Sequence, residues 1–214
     1  MKIYNTRIFK WSELLIVFIG LPLIYYFDLI PFHKSIPLLV VFILFLFILL
    51  KDKSFENRKI YHFFRFPNWK HVAIRFFLFA LISSIVVYYT SREFLFYLPK
   101  NEFGLWLLII VTYPFWSAYP QELIYRGYFY HRYKDIIKKE WLMILLNAFL
   151  FSFSHIIFEN LLALILTFLG GIMFSITYKR SNSLMVVFTE HSLYGIWIFS
   201  VGIGQYFYAQ TSPT

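Results

Sequence analysis

The chain contains no cysteine, which excludes a disulfide, a thiolate nucleophile and a Cys-ligated metal. Charge is also scarce. Asp, Glu, Lys and Arg make up 14% of 214 residues, and 11 residues are acidic. A soluble domain of this size carries about a quarter charged residues, so that class is excluded as well. Any acid–base or metal chemistry has to come from Glu, Asp and the 6 His.

What the chain has instead is apolar surface. It is 60% hydrophobic, with 28 Phe and 17 Tyr, and the apolar residues come in long blocks. That pattern is an integral membrane protein whose first partner is the lipid bilayer. The net charge of +9 then reads as basic loops on a cytoplasmic face and not as a nucleic-acid surface. Aromatic and basic residues alternate over Tyr61–Lys70, which fits an interfacial belt better than a base-stacking platform.

The runs predict an all-α polytopic transmembrane bundle of about seven spans. They are Glu13–Phe27 with a kink at Pro22, Ile36–Leu50, Val72–Tyr89, a helix from Phe103, then Trp141–Ile157, Leu161–Tyr178 and Leu184–Phe199. The fourth continues through Pro114 and Pro120 into the basic segment Arg126–Lys139. Met1–Lys10 is basic like the start of a signal peptide but lacks a small-residue cleavage site, so the first helix is expected to stay attached. A cytoplasmic N-terminus puts 17 of the 20 Lys and Arg inside and leaves Lys34, Arg92 and Lys100 outside. Residues 1–102 read as N-terminal transmembrane helices and 103–210 as the part that carries a site. Residues 1–100 are expected to hold no ionisable group deep in the bilayer.

The second half carries polar groups at depth. Glu122 and Arg126 stand one helical turn apart at the end of an apolar run and can partner each other. A charge in lipid is costly unless it faces the protein and is paired, so the pair is either a functional site or an ion pair that fixes helix packing. His155, with Glu159 and Asn160 beyond it, and Glu190-His191 follow. If spans four and five form a hairpin turning near Lys138, Glu122 and His155 both lie about 25 Å from the turn. His191, counted from Arg180, falls at a similar depth of about 16 Å from the membrane face.

Three ionisable residues thus converge. A carboxylate and an imidazole can take a proton from water and make a nucleophile for an amide carbonyl. A second imidazole can donate to the oxyanion that develops, and an Arg one turn away holds the carboxylate. Each has a plainer reading. A histidine in an apolar helix is often a packing residue, Glu190 can cap the seventh helix or pair with a neighbour, and Gly170-Gly171 allows close helix contact. The aromatic stripes Phe76–Phe79 and Phe149–Phe153 are core or lipid-facing. Glu122, His155, Glu159 and His191 also offer enough N and O ligands for zinc, though no compact His-Glu-x-x-His motif is present. A proton or ion carrier would fit a Glu–His cluster too, but no inverted repeat accompanies it.

Gln121-Glu122-x-x-x-Arg126, then Phe151-x-x-x-His155, then His191-x-x-x-Gly195 resembles, in order, the motifs of the CPBP family of intramembrane proteases. That family includes the type II CAAX prenyl endopeptidases and the Abi, bacteriocin-immunity type proteins. The resemblance covers about Leu105–Tyr206. It implies a metal-independent, cofactor-free endopeptidase in a bacterial cell membrane, with a membrane-associated or exported peptide as substrate. By the same resemblance the first Glu of the opening motif and the second-motif His activate water, and the third motif forms the oxyanion hole. This chain departs at two reactive positions. Gln121 stands where the family has Glu and cannot take a proton. Gly195 stands where the family has Asn or Asp. Glu122, Glu159 and Glu190 are the carboxylates available to replace the base, Glu122 being favoured with His155 and with Arg126 orienting. His191, alone or with the Gln121 amide, is left for the oxyanion. The rival reading is a catalytically impaired protein that keeps the fold and binds a partner, in bacteriocin immunity or sensor regulation.

Overall fold

A backbone that crosses lipid has to satisfy its own N–H and C=O groups, and a continuous helix does so. The computed structural model, which describes residues 3–33, 35–63 and 69–207, is helical throughout, with no strand among the described residues. Lys2, Lys34 and Arg65 of the charge count, part of the Tyr61–Lys70 stretch and positions 208–210 lie outside the described residues.

Six helices are long and apolar enough to cross a membrane. They are α1 (Arg7–Tyr26), α3 (Trp69–Thr90), α4 (Phe103–Tyr133), the helix from Glu140 onward, α6 (Leu161–Ser181) and α7 (Leu184–Val201). A shorter apolar helix, α2 (Ser35–Lys51), brings the total near seven. The bundle is therefore the all-α polytopic membrane fold expected. On α3 the exposed side chains Ile74, Phe77, Leu81 and Ile85 recur at helical spacing and form a lipid-facing stripe. The most enclosed span is α7, with 56% of its apolar window buried against 17% for α1, so α7 is the central post.

Proline shapes α1 and α4. Pro22, Pro114 and Pro120 lack the N–H that would close a regular turn. The chain stays helical by widening. A π turn covers Ile16–Gly20 ahead of Pro22, and in α4 two more cover Pro114–Ala118 and Leu123–Tyr128. The Tyr119 N–H donates to the Pro114 carbonyl five residues back. These wide turns bracket Gln121 and Glu122 and set the direction in which each points.

The fifth span is shorter than its apolar run. Helix α5 ends at Phe153 (Glu140–Phe153), and a single turn of 3₁₀ helix, Ile156–Phe158, leads to Glu159 in the left-handed region at φ 51°. Glu159 is therefore not one turn beyond His155 on a common helical face. Ser183, not Glu190, caps α7, its Oγ accepting from the Val186 N–H at 3.4 Å.

Close packing and a few polar contacts tie the second half together. A Cβ added to Gly171 on α6 would come within 2.8 Å of the Ala148 Cα on α5, so only a glycine allows this approach. Asn147 on α5 donates to the Tyr125 carbonyl at 2.6 Å and accepts from Ser175 Oγ at 2.9 Å, joining α4, α5 and α6.

The first half is bound in by charge. Glu13 on α1 accepts from Arg132 (3.0 Å), Tyr128 (2.8 Å) and Tyr133 (2.9 Å) near the end of α4. Arg75, one of the 17 cations counted on the cytoplasmic side, lies inside α3, and its Nη2 pairs at 2.7 Å with the fully buried Glu190. Residues 1–100 thus contribute an ionisable group to the interior, contrary to the expectation from hydropathy. The reason is pairing: Arg75 also donates to Thr177 Oγ1 at 3.2 Å, and neither charge is left alone.

Candidate active site

Glu122 and Arg126 are both fully buried on α4, and Arg126 Nη1 donates to Glu122 Oε1 at 3.0 Å. The same oxygen lies 2.7 Å from His191 Nδ1 on α7. His191 Nε2 in turn lies 3.1 Å from the Tyr113 hydroxyl, also on α4. One chain of contacts therefore runs from Arg126 through Glu122 and His191 to Tyr113.

Aromatic rings hold this chain in position. The Arg126 guanidinium lies 4.5 Å over Phe151 and 5.5 Å over Phe174, and its Nη2 reaches the Gly171 carbonyl at 3.4 Å. Phe174 stacks on His191 with centroids 4.7 Å apart. Phe151 also meets the edge of His155 at 4.9 Å, so one ring supports both histidines. The aromatic stripe at Phe149–Phe153 divides accordingly: Phe151 is buried beneath the site and Phe149 is exposed.

A cavity of about 1320 Å³ opens beside these residues. Its polar wall includes Tyr113, Gln121, His155, His191 and Arg75, and apolar side chains such as Phe79, Met173 and Phe199 line much of the rest. Gln121 Nε2 donates to Ser117 Oγ at 2.8 Å, which leaves its buried Oε1 without a partner among the described residues. His155 Nδ1 is 2.7 Å from the Phe151 carbonyl. A nitrogen facing a carbonyl has to be the donor, so the ring proton is on Nδ1 and the lone pair is on Nε2.

The structure thus brings Gln121, His155 and His191 to one cavity and sets Glu122 and Arg126 behind them. Glu122 is not on the cavity wall. Adjacent positions on a helix diverge by about 100°, and here Gln121 faces the cavity while Glu122 turns to Arg126 and His191. The carboxylate is joined to His191, not to His155. Glu190 turns to Arg75, and Glu159 is an exposed residue at the cavity rim. Glu122, His155, Glu159 and His191 do not gather as ligands, and no group of three His, Asp or Glu among the described residues could hold a metal ion.

Tyr113 and Arg75 escape a reading of the sequence. Tyr113 falls in a run that reads as apolar, and nothing in its spacing links it to His191, 78 residues later. The one available signal is Gly195, since a missing side chain on a site-bearing helix leaves space that another residue fills.

Fold and site together define a polytopic helical membrane protein with a buried Arg–Glu–His assembly against a polar-walled cavity. Residues 102–197 match the family model described as Type II CAAX prenyl endopeptidase Rce1-like. That stretch, which holds Tyr113, Gln121, Glu122, Arg126, His155 and His191, is similar to this CAAX-protease family. No curated protein and no solved structure matches the chain.

Proposed function

We propose that the protein is an intramembrane endopeptidase in which His155 activates water at the cavity wall. The observation that carries this reading is that His155, Gln121 and His191 line one large, mostly apolar cavity. A space of about 1320 Å³ exceeds that of an ordinary small-ligand site and suits a peptide segment. The catalytic core is assigned to residues 103–210, with the helices of 1–102 completing the bundle and the N-terminus on the cytoplasmic side.

His155 Nε2 takes a proton from water, and the hydroxide attacks the peptide carbonyl carbon. Gln121 cannot accept that proton. Its amide, tied to Ser117, forms part of the wall against which the water sits. The oxyanion forms on the His191 side, where Glu122 and Arg126 hold the imidazole in place from behind. His155 then returns its proton to the leaving amine. The substrate is a membrane-associated or exported peptide, whose apolar part the Phe and Met walls receive.

A second reading is favoured by one observation. The residue facing the cavity at position 121 is an amide tied to Ser117, so a protein that binds a peptide partner without cutting it also fits. The test is cleavage of a pool of hydrophobic and C-terminally modified peptides by the protein in lipid nanodiscs, read by mass spectrometry. Wild type is expected to cleave and His155→Ala to lose cleavage by about 10²–10⁴-fold. Silence in wild type with cleavage by Gln121→Glu would establish the binding reading instead.

A further inference from the structure

The other feature of this site is what stands opposite Gly195. A Cβ built at Gly195 would overlap the Tyr113 ring at Cε1, Cζ and the hydroxyl. No side chain can coexist at 195 with Tyr113 in this position. Glycine on α7, one turn after His191, therefore admits the phenol of α4 to the wall of the cavity.

Tyr113 enters from a constrained direction. It is the last residue before Pro114, where α4 widens into its first π turn. Its ring meets Phe199 at 5.6 Å and His191 at 6.1 Å, both edge-on. The hydroxyl is 3.1 Å from His191 Nε2, and the residue lines the same cavity as His155 and Gln121. Tyr113 is half-buried, and one partner does not use both the donor and the acceptor capacity of its phenol.

Resting on the peptidase reading above, we infer that the Tyr113 hydroxyl is a catalytic hydrogen-bond donor to the tetrahedral oxyanion, held in place by His191 and made possible by Gly195. The contact has two orientations. With the proton of the phenol directed at Nε2, Tyr113 serves His191. With His191 donating from both ring nitrogens, to Glu122 and to the phenol oxygen, the phenol O–H points into the cavity. In that second state Glu122, His191 and Tyr113 form a relay that aims a donor at the developing charge. No covalent bond to Tyr113 forms, and the proton stays on the phenol oxygen throughout. Arg126, behind Glu122, balances the carboxylate, so the relay brings no uncompensated negative charge towards the oxyanion.

The alternative is that Tyr113 merely fills space, and Tyr113→Phe separates the two. It keeps the ring that packs on Gly195 and removes the hydroxyl. The test compares wild type with Tyr113→Phe in nanodiscs, each also in the Gln121→Glu background. Two readouts are taken: steady-state cleavage, and affinity for a phosphonamidate peptide, which carries a tetrahedral oxyanion, against its parent peptide. The expected result is a fall in kcat of about 10²-fold with KM little changed. The preference for the phosphonamidate falls by a similar factor while the parent peptide binds as before. Tyr113→Ala with Gly195→Asn, which offers an amide donor from α7 in the space the ring leaves, is expected to recover most of the loss.

Cleavage by Tyr113→Phe at the wild-type rate, with phosphonamidate preference intact, overturns this inference and leaves the peptidase reading standing. Failure of both position-121 backgrounds to cleave or to bind the phosphonamidate overturns the peptidase reading, and this inference with it.

Discussion

Removing Arg126 is the sharpest perturbation of the buried assembly. Both members of the Glu122–Arg126 pair are at 0% exposure, so Arg126→Ala leaves a carboxylate that solvent cannot reach. Breaking a buried pair from one side costs about 3–5 kcal/mol. Two structural details adjust that range in opposite directions. His191 Nδ1 remains 2.7 Å from Glu122 Oε1, which keeps one hydrogen bond and pulls the cost down. The guanidinium faces over Phe151 and Phe174 disappear, and a desolvated cation–π contact is worth about 2 kcal/mol. The two roughly cancel, so Arg126→Ala is expected to lose about 3–5 kcal/mol.

Glu122→Gln with Arg126→Met removes both charges. It keeps an acceptor for His191 and an apolar side chain between the two Phe rings, and it is expected to cost less than Arg126→Ala alone. Reversible unfolding in mixed micelles of Glu122→Gln, Arg126→Met and the double gives the coupling directly. A loss below about 1 kcal/mol for Arg126→Ala, the range of an exposed pair, would show that water reaches Glu122 and would refute the argument.

Two further predictions concern the scaffold. Gly171→Ala forces a Cβ to within 2.8 Å of the Ala148 Cα, and separating α5 from α6 is expected to cost about 1–3 kcal/mol in thermal unfolding; an unchanged midpoint would mean the helices reseat freely. Outside the spans, a hydrogen bond from His131 first, and bonds from Ser54 next, hold the Asp52 carboxyl down at about 2 although partial burial opposes them. A folded-state value below the unfolded one stabilises the fold above the unfolded pKa, and that contribution is lost as pH falls towards about 2. Asp52→Asn is therefore expected to be less stable than wild type at about pH 5, with most of that gap closed near pH 2, and a gap as wide at pH 2 as at pH 5 would contradict this.

Hydropathy made the spans legible because lipid imposes one rule on every segment that crosses it. It also pointed to the Glu122–Arg126 pair, since unpaired charge is not tolerated at depth, but it joined Glu122 to His155 and put His191 only at a similar depth. The end of α5 was not legible. Phe153–Phe158 is as apolar as the helix before it, and the turn that carries His155 comes from local backbone geometry. The partition of Gln121 and Glu122 between cavity and interior depends on wide turns that follow from Pro114 and Pro120 only once the neighbouring helices are in place. Arg75, inside the expected third span, was counted only as a cytoplasmic-side cation because its partner, Glu190, is 115 residues away. Tyr113 stayed hidden for the same reason, since an aromatic residue in an apolar run carries no sign that its hydroxyl is used.

The central claim is hydrolysis by water activated at His155. It is tested most directly by cleavage in H₂¹⁸O with the wild-type protein and His155→Ala in nanodiscs. Wild type is expected to yield new C-terminal carboxylates carrying one ¹⁸O, and His155→Ala to lose about 10²–10⁴-fold. New termini formed equally by both proteins would contradict it.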